Sequence, residues 1–180
     1  MTAPLNQRGA ALIELLIAML IIAFGVLGFV GMQMKTALSQ VEGHQRSQAV
    51  FLINDIAARI SLNRANTADY LGTNFGIGSP ADCTAPTTQA QKDLCEWSEL
   101  LKGAAETQGS AKLGAMIGAR GCIVSDPSDT SAGAILISIA WQGVQTTGAP
   151  GSECGQNQYS AENLRRTVNK AVQFATLNTP

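Results

Sequence analysis

The feature that most constrains this chain is the stretch from Arg8 to Val30, R-G-A-A-L-I-E-L-L-I-A-M-L-I-I-A-F-G-V-L-G-F-V. Between Ala10 and Met34 the only ionisable residue is Glu14 and the only amide is Gln33. A helix needs about 20 apolar residues to cross a bilayer, and this run supplies them. Glu14 sits early in the run, where a plain anchor would be clean. A carboxylate at the centre of a lone membrane helix costs roughly 2.5–3.5 kcal/mol on insertion scales and less near the interface. Such a group reads as functional, with a cation as its expected partner. On a simple anchor it would snorkel to the headgroups instead.

The apolar run is too long for the core of an ordinary signal peptide, and the junction before it carries a glycine. Met1–Gly9 is a short polar leader ending Gln7-Arg8-Gly9, and the run begins directly after it. With L-I-E-L-L-I-A-M-L-I-I-A-F-G-V-L-G-F-V-G-M-Q behind it, this N-terminus resembles the type IV prepilins, and within them the PilV-type minor pilins, over roughly the first 35 residues. The resemblance implies cleavage between Gly9 and Ala10 by a prepilin peptidase, which also methylates the new amine on Ala10. It makes Glu14 the assembly glutamate, five residues beyond the cut. Ala10 departs from the family pattern, which usually has phenylalanine there. The resemblance further implies an inner-membrane precursor with a periplasmic domain in a Gram-negative bacterium, later extracted into an extracellular pilus. Its partners would be major and minor pilins and the peptidase, with room for a tip adhesin.

Four segments follow: a leader over 1–9, a membrane or filament-core helix over 10–34, an amphipathic continuation over 35–63 and a globular domain over 64–180. Gly25, Gly28 and Gly31 recur every third residue near one side of the first helix. They either admit a neighbouring helix closely or mark a stretch that can loosen. In the continuation Ala49, Leu52, Ile53, Ile56 and Ile60 recur at helical spacing and predict a stripe laid on a domain. The two halves together give one helix of about 50 residues, or about 75 Å, with its N-terminal half protruding. His44 reads as a solvated polar residue.

The rest predicts a small α+β domain. Asn63–Pro86 is punctuated by Gly, Asn, Pro and Thr and reads as loop, anchored by Tyr70, Leu71, Phe75 and Ile77. Thr88-Gln89-Ala90-Gln91 resembles a capping box opening a helix to about Lys102, with Gly103 beyond its end. Leu94, Trp97, Leu100 and Leu101 share a face of that helix, and Trp97 reads as core. Strands are expected over Ala115–Ser125, Ala134–Gln142 and Leu164–Ala175, with a turn cluster at Asp126–Gly133 and a long loop at Gly143–Asn163. Ile135, Ile137, Ile139 and Trp141 point to one side of the central strand. Lys170 shares a side with Val168, Val172 and Phe174, which marks a sheet margin. The expected fold is a pilin-like long helix packed on an antiparallel sheet of three or four strands, with a short second helix.

Cys83, Cys95, Cys122 and Cys154 all follow the membrane run, and an even count there points to an oxidising compartment and two disulfides. Three connectivities stay open, with Cys83–Cys95 and Cys122–Cys154 favoured because near neighbours close easily. No C-x-x-C pair exists and His44 is the only histidine, so no metal site is expected. The same single histidine argues against most catalytic triads, and no G-x-S-x-G elbow, phosphate loop or H-E-x-x-H motif is present. Glu96 and Glu99, the nearest paired carboxylates, read as a solvated face. Arg165-Arg166 alternate faces on a strand and make only a weak carboxylate-binding pair. A net charge of −1 without a basic block leaves no footprint for nucleic acid. The expectation is a structural subunit without cofactor or catalysis, a minor type IV pilin near the pilus tip that helps to start assembly. Two alternatives are a minor pseudopilin of a type II secretion system and a membrane-anchored periplasmic binding module. The G-V-L-G-F-V-G-M-Q stretch and the four cysteines favour the pilus.

Overall fold

The structure is a computed structural model that describes residues 8–78, 82–104, 107–108, 111–112, 116–126 and 134–174. The chain divides into two compact units, one ending at Val41 and one beginning at Glu42. Helix α1, Arg8–Leu62, contributes to both. In the first unit its sequence is rich in Leu, Ala and Met, with no proline to interrupt the backbone ladder. Side chains from Leu12 to Val41 are exposed, and the helix is long and apolar enough to cross a membrane.

In the second unit α1 lays Ala49, Leu52, Ile53, Ile56, Ala57 and Ile60 against a core, each nearly or fully buried. Burying a side chain of the Leu or Ile class contributes about 1.5–3 kcal/mol, so this stripe is a main source of the domain's stability. The sheet beside it consists of β1 (Gly72–Phe75), β4 (Arg120–Ser125), β5 (Ile135–Gln142) and β6 (Arg165–Val172), antiparallel throughout and ordered β1-β4-β5-β6. A separate two-stranded ribbon pairs β2 (Thr107–Gln108) with β3 (Ala111–Lys112). Ile137 opposes Ile123 on one side and Lys170 on the other, and Ile139 opposes Val168. Ile123, Ile135, Ile137, Ile139 and Trp141 all enter the main core, as their alternation requires. Lys170 crosses from the β6 margin to α1, donating to the Asn54 side-chain oxygen at 2.6 Å.

Helix α2, Gln89–Leu101, buries Ala90, Asp93, Trp97 and Leu101. The Trp97 indole N–H donates to the Leu52 carbonyl at 3.0 Å, tying the two helices together. The Trp97 ring lies so close to β4 that a Cβ at Gly121 would overlap it. The α+β class, the long helix, the antiparallel sheet and the short second helix therefore agree with the sequence expectation.

Several details differ. The stretch expected to be loop contains a 3-10 segment, Arg64–Tyr70, and the edge strand β1. Of its four expected anchors Tyr70 is fully buried and Phe75 packs on the core, but Leu71 and Ile77 are exposed. The strand expected from Ala115 begins only at Arg120. Met116–Ala119 forms a turn, with Gly118 at φ 61°. Thr88 caps α2 by accepting from the Gln91 amide at 3.2 Å, but Gln91 reaches back to Thr87 rather than to the cap residue. The expected turn at 127–133 and leader residues 1–7 lie outside the described residues.

Both disulfides join near neighbours in sequence. Cys83–Cys95 fastens the loop before α2 to that helix, with Cα atoms 5.7 Å apart, and Cys122–Cys154 fastens the long β5–β6 loop to β4 at 5.8 Å. The same loop is gripped by Arg165, which is buried at the start of β6. Its guanidinium donates to the carbonyls of Cys154 at 3.0 Å, Pro150 at 3.1 Å and Ser152, and it pairs with Glu162 at 2.7 Å. A side chain expected to be half of a weak carboxylate-binding pair thus organises the interior of a loop, and its charge is met by oxygens on several sides.

Candidate functional site

The candidate residues lie on the first unit of α1. Gly9 and Ala10 fall in its first turn and Glu14 one turn further on. Glu14 is exposed and flanked by Leu12, Ile13, Leu15 and Leu16, each more than half exposed. Among the described residues it has no hydrogen-bond or ion-pair partner. A Cβ added at Gly25, Gly28 or Gly31 would meet nothing within 4 Å, so these glycines leave a shallow face open for another backbone.

At 3.6 residues per turn, Glu14, Ala18, Gly25 and Gly28 fall within an arc of about 80°, and Gly31 lies further round. The same arc also holds Ile21 and Met32, so the carboxylate shares its face with three small residues and two large apolar ones. Sequence reasoning found the glycines but overlooked Ala18, although its spacing of four from Glu14 was a readable signal. Beside Glu14 the short side chain of Ala18 leaves room for a cation on a neighbouring helix to approach the carboxylate.

In the second unit a different carboxylate fixes where α1 meets the sheet. Glu42 Oε1 accepts from the backbone amides of Val144 at 3.1 Å and Gln145 at 2.9 Å, and from Arg166 at 3.1 Å. Arg166 also donates to the Gln145 carbonyl, closing the clamp. Burial pushes the Glu42 carboxyl upward, but the Gln145 amide, the Arg166 charge and the Val144 amide outweigh it and hold the group below its usual range. Sequence reasoning missed Glu42 and read Arg166 as a possible partner-binding cation; the structure gives Arg166 an internal carboxylate instead.

The pair Glu96 and Glu99 is likewise not a solvated face. Glu96 accepts from Arg59 of α1 at 2.6 Å, and Glu99 pairs with Lys102 at 2.7 Å. Beside them buried Asp93 accepts from the Tyr70 hydroxyl at 2.6 Å and from Gln89 at 2.9 Å. Burial, together with the bond to Asp93, pushes the Tyr70 hydroxyl up to about 12. These groups knit α1 to α2. His44 is exposed, and among the described residues no group of three or more metal-ligating side chains is gathered.

Residues 4–30 match the family model for the prokaryotic N-terminal methylation motif. The match spans the Gly9–Ala10 junction, Glu14, Gly25 and Gly28. No curated protein and no solved structure matches the chain. The leader, the junction and the exposed apolar helix together make this a chain with a prepilin-like N-terminus, of the kind that pilins and pseudopilins share.

Proposed function

We propose that this chain is a minor type IV pilin of the PilV type, a structural subunit that enters the pilus near its tip and helps to start assembly. The observation that carries this reading is Glu14, a carboxylate inside a methylation motif on an exposed apolar helix. Peptidase cleavage after Gly9 leaves an ammonium on Ala10. In an apolar bundle the ammonium and the Glu14 carboxylate are each costly alone. A neighbouring subunit's terminal amine against Glu14 offsets both costs and sets the axial register. Breaking such a buried pair costs about 3–5 kcal/mol. Before assembly the apolar helix holds the precursor in the inner membrane, with the disulfide-bonded domain in the periplasm. Its role in this reading is assembly and not catalysis.

The test is Glu14→Ala expressed in the native host beside the wild type. The variant is expected to fractionate with membranes in normal amount and to vanish from sheared pili. Normal incorporation would remove the pairing role. Recovery of wild-type chain in a secretion pseudopilus, with none in pili, would move the protein to that related filament.

A further inference from the structure

Strand β6 ends the sheet on one side. Its eight residues pair with β5 in an unbroken register, from Arg165 against Gln142 to Val172 against Ile135. Among the described residues no strand pairs with its other edge. Every second residue of such an edge turns its backbone N–H and C=O away from the sheet, a template for another extended chain. Proteins blunt a long edge with proline, a bulge or an inward-pointing charge. Here R-R-T-V-N-K-A-V has no proline and no bulge, and the inward-pointing charge is Lys170. Lys170 opposes core residue Ile137 and shares its side of the strand with Val168 and Val172, while exposed Asn169 and Ala171 take the other side. Arg165 and Arg166 already hold the carboxylates of Glu162 and Glu42. Lys170 instead donates to the neutral Asn54 side chain, and no carboxylate among the described residues pairs with it. Exposed Val50 stands one turn before Asn54 on the same flank of α1. Because Glu42 meets Arg166 and Asn54 meets Lys170, Val50 comes level with the stretch around Val168.

We propose that the open edge of β6 takes up an extended segment of a partner polypeptide as an added antiparallel strand, with a carboxylate opposite Lys170 and an aliphatic side chain opposite Val168. Main-chain hydrogen bonds supply the affinity, and cross-strand pairs on the core-facing side supply the choice of sequence. An added strand takes water from the Lys170 ammonium, so a strand without an acid there leaves that charge uncompensated. Lys170 therefore discriminates against strands in general and in favour of acidic ones. A second copy of β6 is a poor occupant, because the strand has three cations and no carboxylate to offer. In an antiparallel strand the residue opposite Lys170 comes two positions before the one opposite Val168. The sequence selected is thus Asp or Glu, any residue, then Leu, Ile or Val. The inference rests on the globular unit alone, and its failure leaves the filament reading untouched.

The test uses the full chain in lipid nanodiscs, panned against a displayed library of random decapeptides. The expected consensus is Asp or Glu followed two positions later by Leu, Ile or Val. With the best peptide bound, hydrogen exchange should slow at the β6 amides. Methylating one alternate set of the peptide's amides should abolish binding, and methylating the other set should not. Lys170→Gln should bind this peptide about three- to fivefold more weakly, with an unchanged thermal midpoint of the protein. Panning Lys170→Glu should select Lys or Arg in place of the acid, a change of preference that a folding defect does not produce. No enriched consensus, or the reverse order of acid and aliphatic residue, would overturn the proposal. So would equal binding to wild type and Lys170→Gln, or binding that leaves exchange in β6 unchanged. Dimerisation of the chain that the peptide competes away would also overturn it and give the edge to a second copy.

Discussion

Removing the Cys122–Cys154 bridge isolates what the disulfide contributes to this domain. The perturbation is the double replacement Cys122→Ala with Cys154→Ala. The bridge closes a loop with a sequence separation of 32. In the chain-entropy model this restricts the unfolded chain by about 3.7 kcal/mol, against about 2.8 kcal/mol for Cys83–Cys95 with its separation of 12. The native loop keeps other attachments, since Arg165 still holds the carbonyls of Pro150, Ser152 and Cys154. The folded state should therefore persist, and the loss should come mainly from a freer unfolded state. For a unit of this size 1 kcal/mol moves the midpoint by roughly 3–5 °C, so the double variant should unfold roughly 10–18 °C below wild type. The assay is thermal unfolding of the full chain in detergent, followed by near-ultraviolet circular dichroism, with the Cys83→Ala, Cys95→Ala double variant alongside. A midpoint within about 5 °C of wild type would refute the reasoning. A larger fall for the Cys83–Cys95 variant would refute the assigned order.

Replacing Glu42 by Gln should lower stability at neutral pH by about 1–2 kcal/mol, the worth of charged hydrogen bonds discounted for partial exposure. Because the Glu42 carboxyl is held below its usual range, its contribution is present above about pH 4.3 and is lost as pH falls through the folded value. The gap in thermal midpoint between wild type and Glu42→Gln should thus narrow as pH falls below the ordinary carboxylate range, and a gap independent of pH would contradict the clamp. Gly9→Arg should leave the leader uncut, seen as a precursor band that never shifts to the mature mass on gels. Ile56→Ala, at the centre of the α1 stripe, should cost about 2–5 kcal/mol in denaturant titration, and a loss below about 1 kcal/mol would show that the helix is not seated in the core as described.

What the sequence disclosed was periodic or local. The apolar run needed only counting, and the alternation of Ile135, Ile137, Ile139 and Trp141 announced a strand buried on one face. Near-neighbour closure anticipated both disulfides. Strand β1 escaped because G-T-N-F has neither alternation nor β-branched apolar residues. It is a strand by virtue of pairing with β4, which no local pattern records. Strand β4 was read too long because glycine and alanine at 118–119 look permissive until Gly118 is seen turning the chain. The long-range polar contacts were the least legible. Glu42 and Arg166 stand 124 positions apart, and Arg59 and Glu96 stand 37 apart. A solvated charge and a paired one look the same in a sequence, so Glu96 and Glu99 read as a solvated face and Arg165 as half of a weak carboxylate-binding pair. On the N-terminal helix, by contrast, the order of residues carries nearly all of the argument, because a regular helix converts spacing directly into a shared face.

The central claim is that the chain is cut and modified at its N-terminus so that a charged amine and Glu14 can meet within apolar surroundings. Intact-mass and N-terminal peptide mass spectrometry of the protein purified from its native membrane tests this directly. The account predicts a mature chain beginning at Ala10 and carrying one added methyl group on its amine. A chain still beginning at Met1, or cut elsewhere, would contradict it.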